Sequence, residues 1–248
     1  MGLAETVTIF ASFLGSFVGA LCGIGGYMVI IPIMALVLPI HTVILTCCLS
    51  GPFMCLLLCL RYGKHCRWRS LLPMLAGVVP GTFAGVWIIS VVQGAVLQLL
   101  LGFVLLGFLV WQQYGQGAQG HESWQLGGFS GFVAGLLGAS VSVDGPPVGA
   151  YGLYVGWAPQ AFLGTLGPFY FCRSLFACVV QATAGLYTAE IVHLAMFGIV
   201  GGFVGTMLTF PLVKRVNVAT FRMAVKGVIL VAALSCLWHA RSLFWSSL

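Results

Sequence analysis

Apolar residues run almost without interruption along this chain, and the few places where the run stops define its elements. Stretches at 40–60, 70–91, 94–111, 160–187, 190–211 and 217–238 are continuous and apolar, close to or above the roughly twenty residues that cover the hydrocarbon of a bilayer. Two further stretches are broken. One divides into 7–22 and 27–38, the other into 124–138 and 146–156, and the short second pieces cannot cross alone. Both breaks consist of small residues: Phe17-Val-Gly-Ala-Leu-Cys-Gly-Ile-Gly-Gly26 in the first, and Gly138-Ala-Ser-Val-Ser-Val-Asp-Gly-Pro-Pro147 in the second. An interrupted helix inside lipid is tolerated only where its freed backbone groups are buried in protein or line a cavity.

The two breaks repeat a pattern. Phe17 and Phe132, Gly23 and Gly138, and Pro32 and Pro147 share a spacing of 115 residues; His41-x4-Thr46 returns as Gln160-x4-Thr165 at 119; Gly81-x3-Gly85 returns as Gly201-x3-Gly205 at 120. The one sustained polar, glycine-rich segment, 112–123, separates the copies. The expected organisation is therefore a first transmembrane repeat over 1–111, a linker over 112–123 and a second repeat over 124–248. The expected fold is an all-α polytopic membrane protein of two homologous repeats, each opening with a glycine-broken or re-entrant helix.

Charge selects the topology. Arg61, Lys64, Arg67 and Arg69 place the loop after the 40–60 stretch on the cytoplasmic side. If each broken pair is re-entrant, the halves are inverted, Lys214 and Arg215 also fall inside, and both termini lie outside. If each is a single span, the halves are parallel and Lys214 and Arg215 fall outside. The positive-inside rule favours inversion.

Composition removes whole classes of function. With 60% apolar and 6% charged residues and a mean hydropathy of +1.10, the chain has no surface for a soluble domain. The net charge of +6 comes from ten basic residues, four of them in one loop, so no nucleic-acid partner is expected. The segment 1–8 carries Glu5 and no basic flank, so it does not read as a cleaved signal. The nine cysteines lie mostly within apolar stretches, without zinc or CxxC spacing. With no His/Asp/Glu cluster either, no metal, cofactor or enzymatic chemistry is expected.

The chemistry left is that of a solute held at membrane depth. Gly23, Gly25, Gly26 and Gly145 let the backbone N–H groups of half-helix ends approach an anion; alternatively these glycines only pack helices. Asp144 is the acidic residue set between apolar segments, which makes it a candidate for proton or sodium coupling, with an ion pair to Arg173 as the alternative. Arg173 sits near the middle of 160–187, about 20 Å from either end, too deep to snorkel easily and suited to a two-point clamp on an oxyanion. Thr46, Thr165, Ser140 and Ser142 offer hydroxyls to the same solute or bond back to their own helices.

With these features assembled, the chain resembles the TauE/SafE family of membrane permeases. The resemblance rests on Gly19-x3-Gly23-Ile-Gly-Gly26-x5-Pro32, on Pro39-x-His41-x4-Thr46, on Arg61-Tyr-Gly-Lys64 with Trp68-Arg69, and on Leu72-Pro-x3-Gly77-x3-Gly81-x3-Gly85. The second break departs from it, since a Gly-Ile-Gly-Gly signature is replaced by Gly138-Ala-Ser-Val-Ser-Val-Asp-Gly-Pro-Pro147. The resemblance implies a multi-pass protein of the plasma or cell membrane that moves sulfite, organosulfonates or related anions. Alternating access, with H+ or Na+ as a further partner beside the membrane lipids, is the expected mode; an anion channel, or a membrane redox enzyme, is the alternative.

Overall fold

The computed structural model describes residues 2–22, 26–114, 120–212 and 230. Gly23, Gly25 and nearly all of the expected 217–238 element lie outside the described residues. Among those described, the chain forms nine α-helices and no strand. They are α1 (Leu3–Cys22), α2 (Gly26–Ala35), α3 (Ile40–Tyr62), α4 (Trp68–Val91), α5 (Gly94–Tyr114), α6 (Trp124–Val141), α7 (Gly145–Tyr154), α8 (Pro159–Thr183) and α9 (Ala189–Leu212). Five of them, α1, α3, α4, α8 and α9, are long and apolar enough to cross a membrane. Phe83, Trp87, Phe103, Phe129 and Met196 stand exposed on the outside, an apolar surface suited to lipid. The molecule is an all-α, multi-span membrane protein.

The boundaries follow local chemistry. The α6 helix continues past Gly138 to Val141 and stops where Ser142 takes the left-handed conformation, φ 56° and ψ 27°. The chain restarts at Gly145 with prolines in the first turn of α7, where their missing N–H groups are not needed. The α8 helix ends at Thr183, four residues short of the expected 187, because Gly185 at φ 69° turns the chain.

Both short helices double back on the long helix before them. Gly15 of α1 lies against Gly26 and Ile30, and Gly19 lies against Gly26. In the second pair the Ser130 hydroxyl donates to the Pro147 carbonyl at 3.0 Å. Its base is closed by the Gly120 N–H, which donates to the Tyr154 carbonyl at 2.9 Å. Each interrupted pair is thus a helical hairpin, and the turn of the second, Ser142 to Asp144, is buried inside the bundle.

Small residues set how the hairpins pack. Gly77, Gly81 and Gly85 of α4 face the carbonyls of Gly128, Phe132 and Leu136 on α6 so closely that a Cβ would strike backbone. Gly201 and Gly205 of α9 face the carbonyls of Ile9 and Phe13 on α1 in the same way, and one turn on the Thr209 hydroxyl donates to the Phe17 carbonyl at 3.3 Å. Residue numbers rise together in both ladders, so α4 runs parallel to α6 and α1 parallel to α9. Between them α3 packs along α8. Close approach through small faces is how helices associate where lipid removes the hydrophobic drive.

Polar contacts tie the ends. His193 near the start of α9 approaches Glu5 near the start of α1 at 3.8 Å. At the other end of the bundle Arg67, beside the start of α4, pairs with Glu122, beside the start of α6, at 3.0 Å. The tryptophans divide: Trp68 and Trp124 are exposed at helix starts, as interfacial anchors would be, whereas Trp157 is buried edge-on to Tyr151 and Phe162.

Candidate functional site between the two hairpins

The second break is held in place by its own polar atoms. The Ser142 hydroxyl donates to the Ile44 carbonyl on α3 at 3.0 Å and lies 3.1 Å from the Cys48 thiol. Gln181 of α8, fully buried, donates to the Ala139 carbonyl at 3.2 Å and accepts from the Tyr187 hydroxyl at 2.7 Å. This network joins the end of α6 to α3 and α8, and thereby fixes the two residues that follow Ser142.

Asp144 is one of them. It occupies the N-cap position of α7, but its carboxylate makes no cap hydrogen bond. It turns instead to α8, where the Arg173 guanidinium meets it at 2.7 Å, with both side chains buried. Two charges brought out of water hold each other here, a pairing in which neither partner can be removed cheaply. Arg173 also rests against Gly138, where any Cβ would collide with the guanidinium. Its Nε and Nη1 groups are buried without hydrogen-bond partners.

In front of Asp144 opens a cavity of about 80 Å³, room for several waters or one small solute. Its wall draws on both hairpins: Gly15, Ser16, Gly19, Gly26 and Tyr27 from the first, Val143, Asp144 and Gly145 from the second. Met54 and Cys55 of α3, Tyr170 of α8 and Thr206 of α9 complete it. The Tyr170 hydroxyl has no partner. The hydroxyls of Ser16 and Tyr27 have only the Met54 thioether, at 3.4 and 3.6 Å, a weak acceptor. These three weakly held or unpartnered hydroxyls surround the space, beside the N-terminal ends of α2 and α7.

The residues expected from sequence distribute unevenly around this cavity. Gly26, Gly145 and Asp144 line it, and Arg173 stands directly behind Asp144. Ser142 shapes the tip from behind. Ser140 donates to the Leu136 carbonyl one turn back, at 2.7 Å. Thr165 accepts from the Arg67 backbone N–H at 3.0 Å, at the start of α4. Thr46 is buried on α3 with its hydroxyl unpartnered, away from the cavity wall. Ser16, Tyr27, Tyr170 and Thr206 were not singled out from sequence; the two tyrosines carried the available signal, as polar-tipped rings next to a break and one turn before Arg173. No cluster of three or more His, Cys, Asp or Glu side chains able to hold a metal occurs among the described residues.

A family model described as Sulfite exporter TauE/SafE matches residues 8–236, nearly the whole chain. No curated protein and no solved structure gives a significant match.

Proposed function

We propose that this chain, which belongs to the TauE/SafE family of membrane transporters, carries a small oxyanion of the sulfite or organosulfonate class through the cavity between its two hairpins. The observation that carries this reading is a buried guanidinium with unused donors, set behind a small cavity lined by three hydroxyls and two half-helix ends. Backbone N–H groups and the positive dipole ends at Gly26 and Gly145 suit an anion, and the hydroxyls supply the hydrogen bonds that replace its hydration.

Alternating access is the mode we favour, with the two halves as inverted repeats. Several spacings support it. Cys22 and Val141, Gly26 and Gly145, Ala35 and Tyr154, and Ile40 and Pro159 bound corresponding helices, each pair separated by the 119 residues that also separate Thr46 from Thr165. The α1–α9 and α6–α4 ladders correspond as pairs of helices, with Gly201 against Ile9 as Gly77 is against Gly128. The starts of α1 and α6 are tied to opposite ends of the bundle, and the basic loop between α3 and α4 assigns the α6 end to the cytoplasm. Asp144 is the coupling residue of this scheme.

Counterflow of labelled sulfite or methanesulfonate in proteoliposomes tests the proposal. The intact protein shows saturable flux that is accelerated by unlabelled anion on the far side, which a channel would not show. Arg173→Ala lowers that flux about 30-fold or more, the scale for removing one partner of a buried charged contact. Undiminished flux in a folded Arg173→Ala protein overturns the assignment of the guanidinium.

A further inference from the structure

The charge that faces the cavity has the wrong sign for an anion. Asp144 lines the wall, whereas Arg173 lies behind it with Nη2 held at 2.7 Å by the carboxylate. These two are the charged side chains fully buried among the described residues, and together they are neutral. An anion entering such a site finds a carboxylate in front of the cation and adds an uncompensated charge to a low-dielectric interior, an arrangement several kcal/mol from tolerable in other buried sites.

We infer that the cargo anion and the Asp144 carboxylate compete for the Arg173 guanidinium, so that each anion is carried together with one proton and a monoanion crosses without net charge movement. This rests on the anion-transport reading above. A proton from the entry side binds the Asp144 carboxylate and breaks its ion pair with Nη2. The anion then accepts two hydrogen bonds along one edge of the guanidinium, from the released Nη2 and from Nε, which has no partner in the closed pair. On the far side the anion leaves, the proton leaves Asp144, and the ion pair re-forms.

The geometry suits such an exchange. Asp144 sits at the N-cap of α7, where its carboxylate is free of the capping bond that would fix it. Once neutral, it can turn toward the backbone N–H groups of α7 or the cavity hydroxyls. Arg173 by contrast is fixed from behind by Gly138. The other titratable groups within electrostatic reach of the pair are Tyr170 and Cys178 on α8, Tyr187 after it, Tyr27 on α2, and Cys55 and Cys48 on α3. Phenols and thiols are neutral near pH 7, which leaves Asp144 as the group that can take the proton.

The test uses the full chain in proteoliposomes and labelled methanesulfonate, a monoanion of constant charge across the working pH range. With the membrane potential clamped at zero by potassium and valinomycin, an acid-outside gradient drives uphill accumulation. At equilibrium this reaches about tenfold for each pH unit. A potassium diffusion potential of either sign, without a pH gradient, drives none. Asp144→Asn loses the pH-driven accumulation and exchanges anion without response to pH. Accumulation that follows the potential, no accumulation under the pH gradient, or accumulation that persists in Asp144→Asn each overturns the coupling while leaving anion transport standing. Absence of any methanesulfonate or sulfite flux overturns the transport reading itself. The wild-type gradients decide the matter even if the variant does not fold.

Discussion

The Asp144 carboxylate lies 2.7 Å from the Arg173 guanidinium, and this contact joins the tip of the second hairpin to the middle of α8. It explains why two charged residues persist in a chain otherwise so apolar. Removing one partner leaves the other buried and unpaired, which costs about 3–5 kcal/mol. Asp144→Ala and Arg173→Met are each expected to destabilise the protein on that scale. The double variant loses clearly less than the sum of the two. Unfolding of the detergent-purified protein by titration with a denaturing detergent checks this; strict additivity would mean that the pair contributes nothing.

The α4 ladder makes a second expectation. Gly135 of α6 approaches Val78 so that a Cβ would stand 2.7 Å from its carbonyl oxygen, and Gly81 sits against the Phe132 carbonyl in the same seam. Backbone cannot retreat as a flexible side chain can. Gly81→Val therefore forces the helices apart, with a loss of about 1–3 kcal/mol or more. The same substitution at Gly107, which has nothing near its Cβ position, is expected to be mild. Melting temperatures of the two variants, measured side by side, decide it.

Ser142 combines a left-handed backbone with a hydroxyl that holds the hairpin tip to α3. Ser142→Gly retains the conformation and loses the bond, for about 0.5–1.5 kcal/mol. Ser142→Val loses the bond and adds the strain of a β-branched residue at positive φ, about 1–2 kcal/mol more. Flux is expected to fall in the same order, because the tip positions Asp144. Equal stability and flux of the two variants would remove Ser142 from this role.

Much of this architecture was legible in the sequence because it is punctuated by residues with one physical meaning. Glycine-rich interruptions, a polar linker and proline-led helix starts located most boundaries within a few residues. The charges of Asp144 and Arg173 were conspicuous against an apolar background. Alignment of the two halves on their glycines, however, paired Gly81 with Gly201, whereas the contacts put Gly201 against Ile9 as Gly77 is put against Gly128, one turn away. Small residues recur every four positions along such a seam, so spacing alone does not choose the rung.

The cavity wall was harder to read for a related reason. A helix that is apolar all round carries no stripe to say which face looks inward. Ser16, Tyr27 and Tyr170 became recognisable only once the hairpins were folded against α3 and α8. Thr165 likewise has two uses for one hydroxyl, and its acceptance of the Arg67 N–H depends on a loop about a hundred residues away in the chain.

In this scheme the anion occupies the space between the two hairpins, and Cys55, a native thiol in its wall, reports the occupancy. Alkylation of Cys55 by iodoacetamide, followed peptide by peptide by mass spectrometry, is expected to slow as methanesulfonate is raised through the concentrations that saturate flux. Cys66, in the loop before α4, serves as the reference and is expected to react at an unchanged rate. A Cys55 rate that stays constant while flux saturates would mean that the transported anion binds elsewhere and that this cavity is not its site.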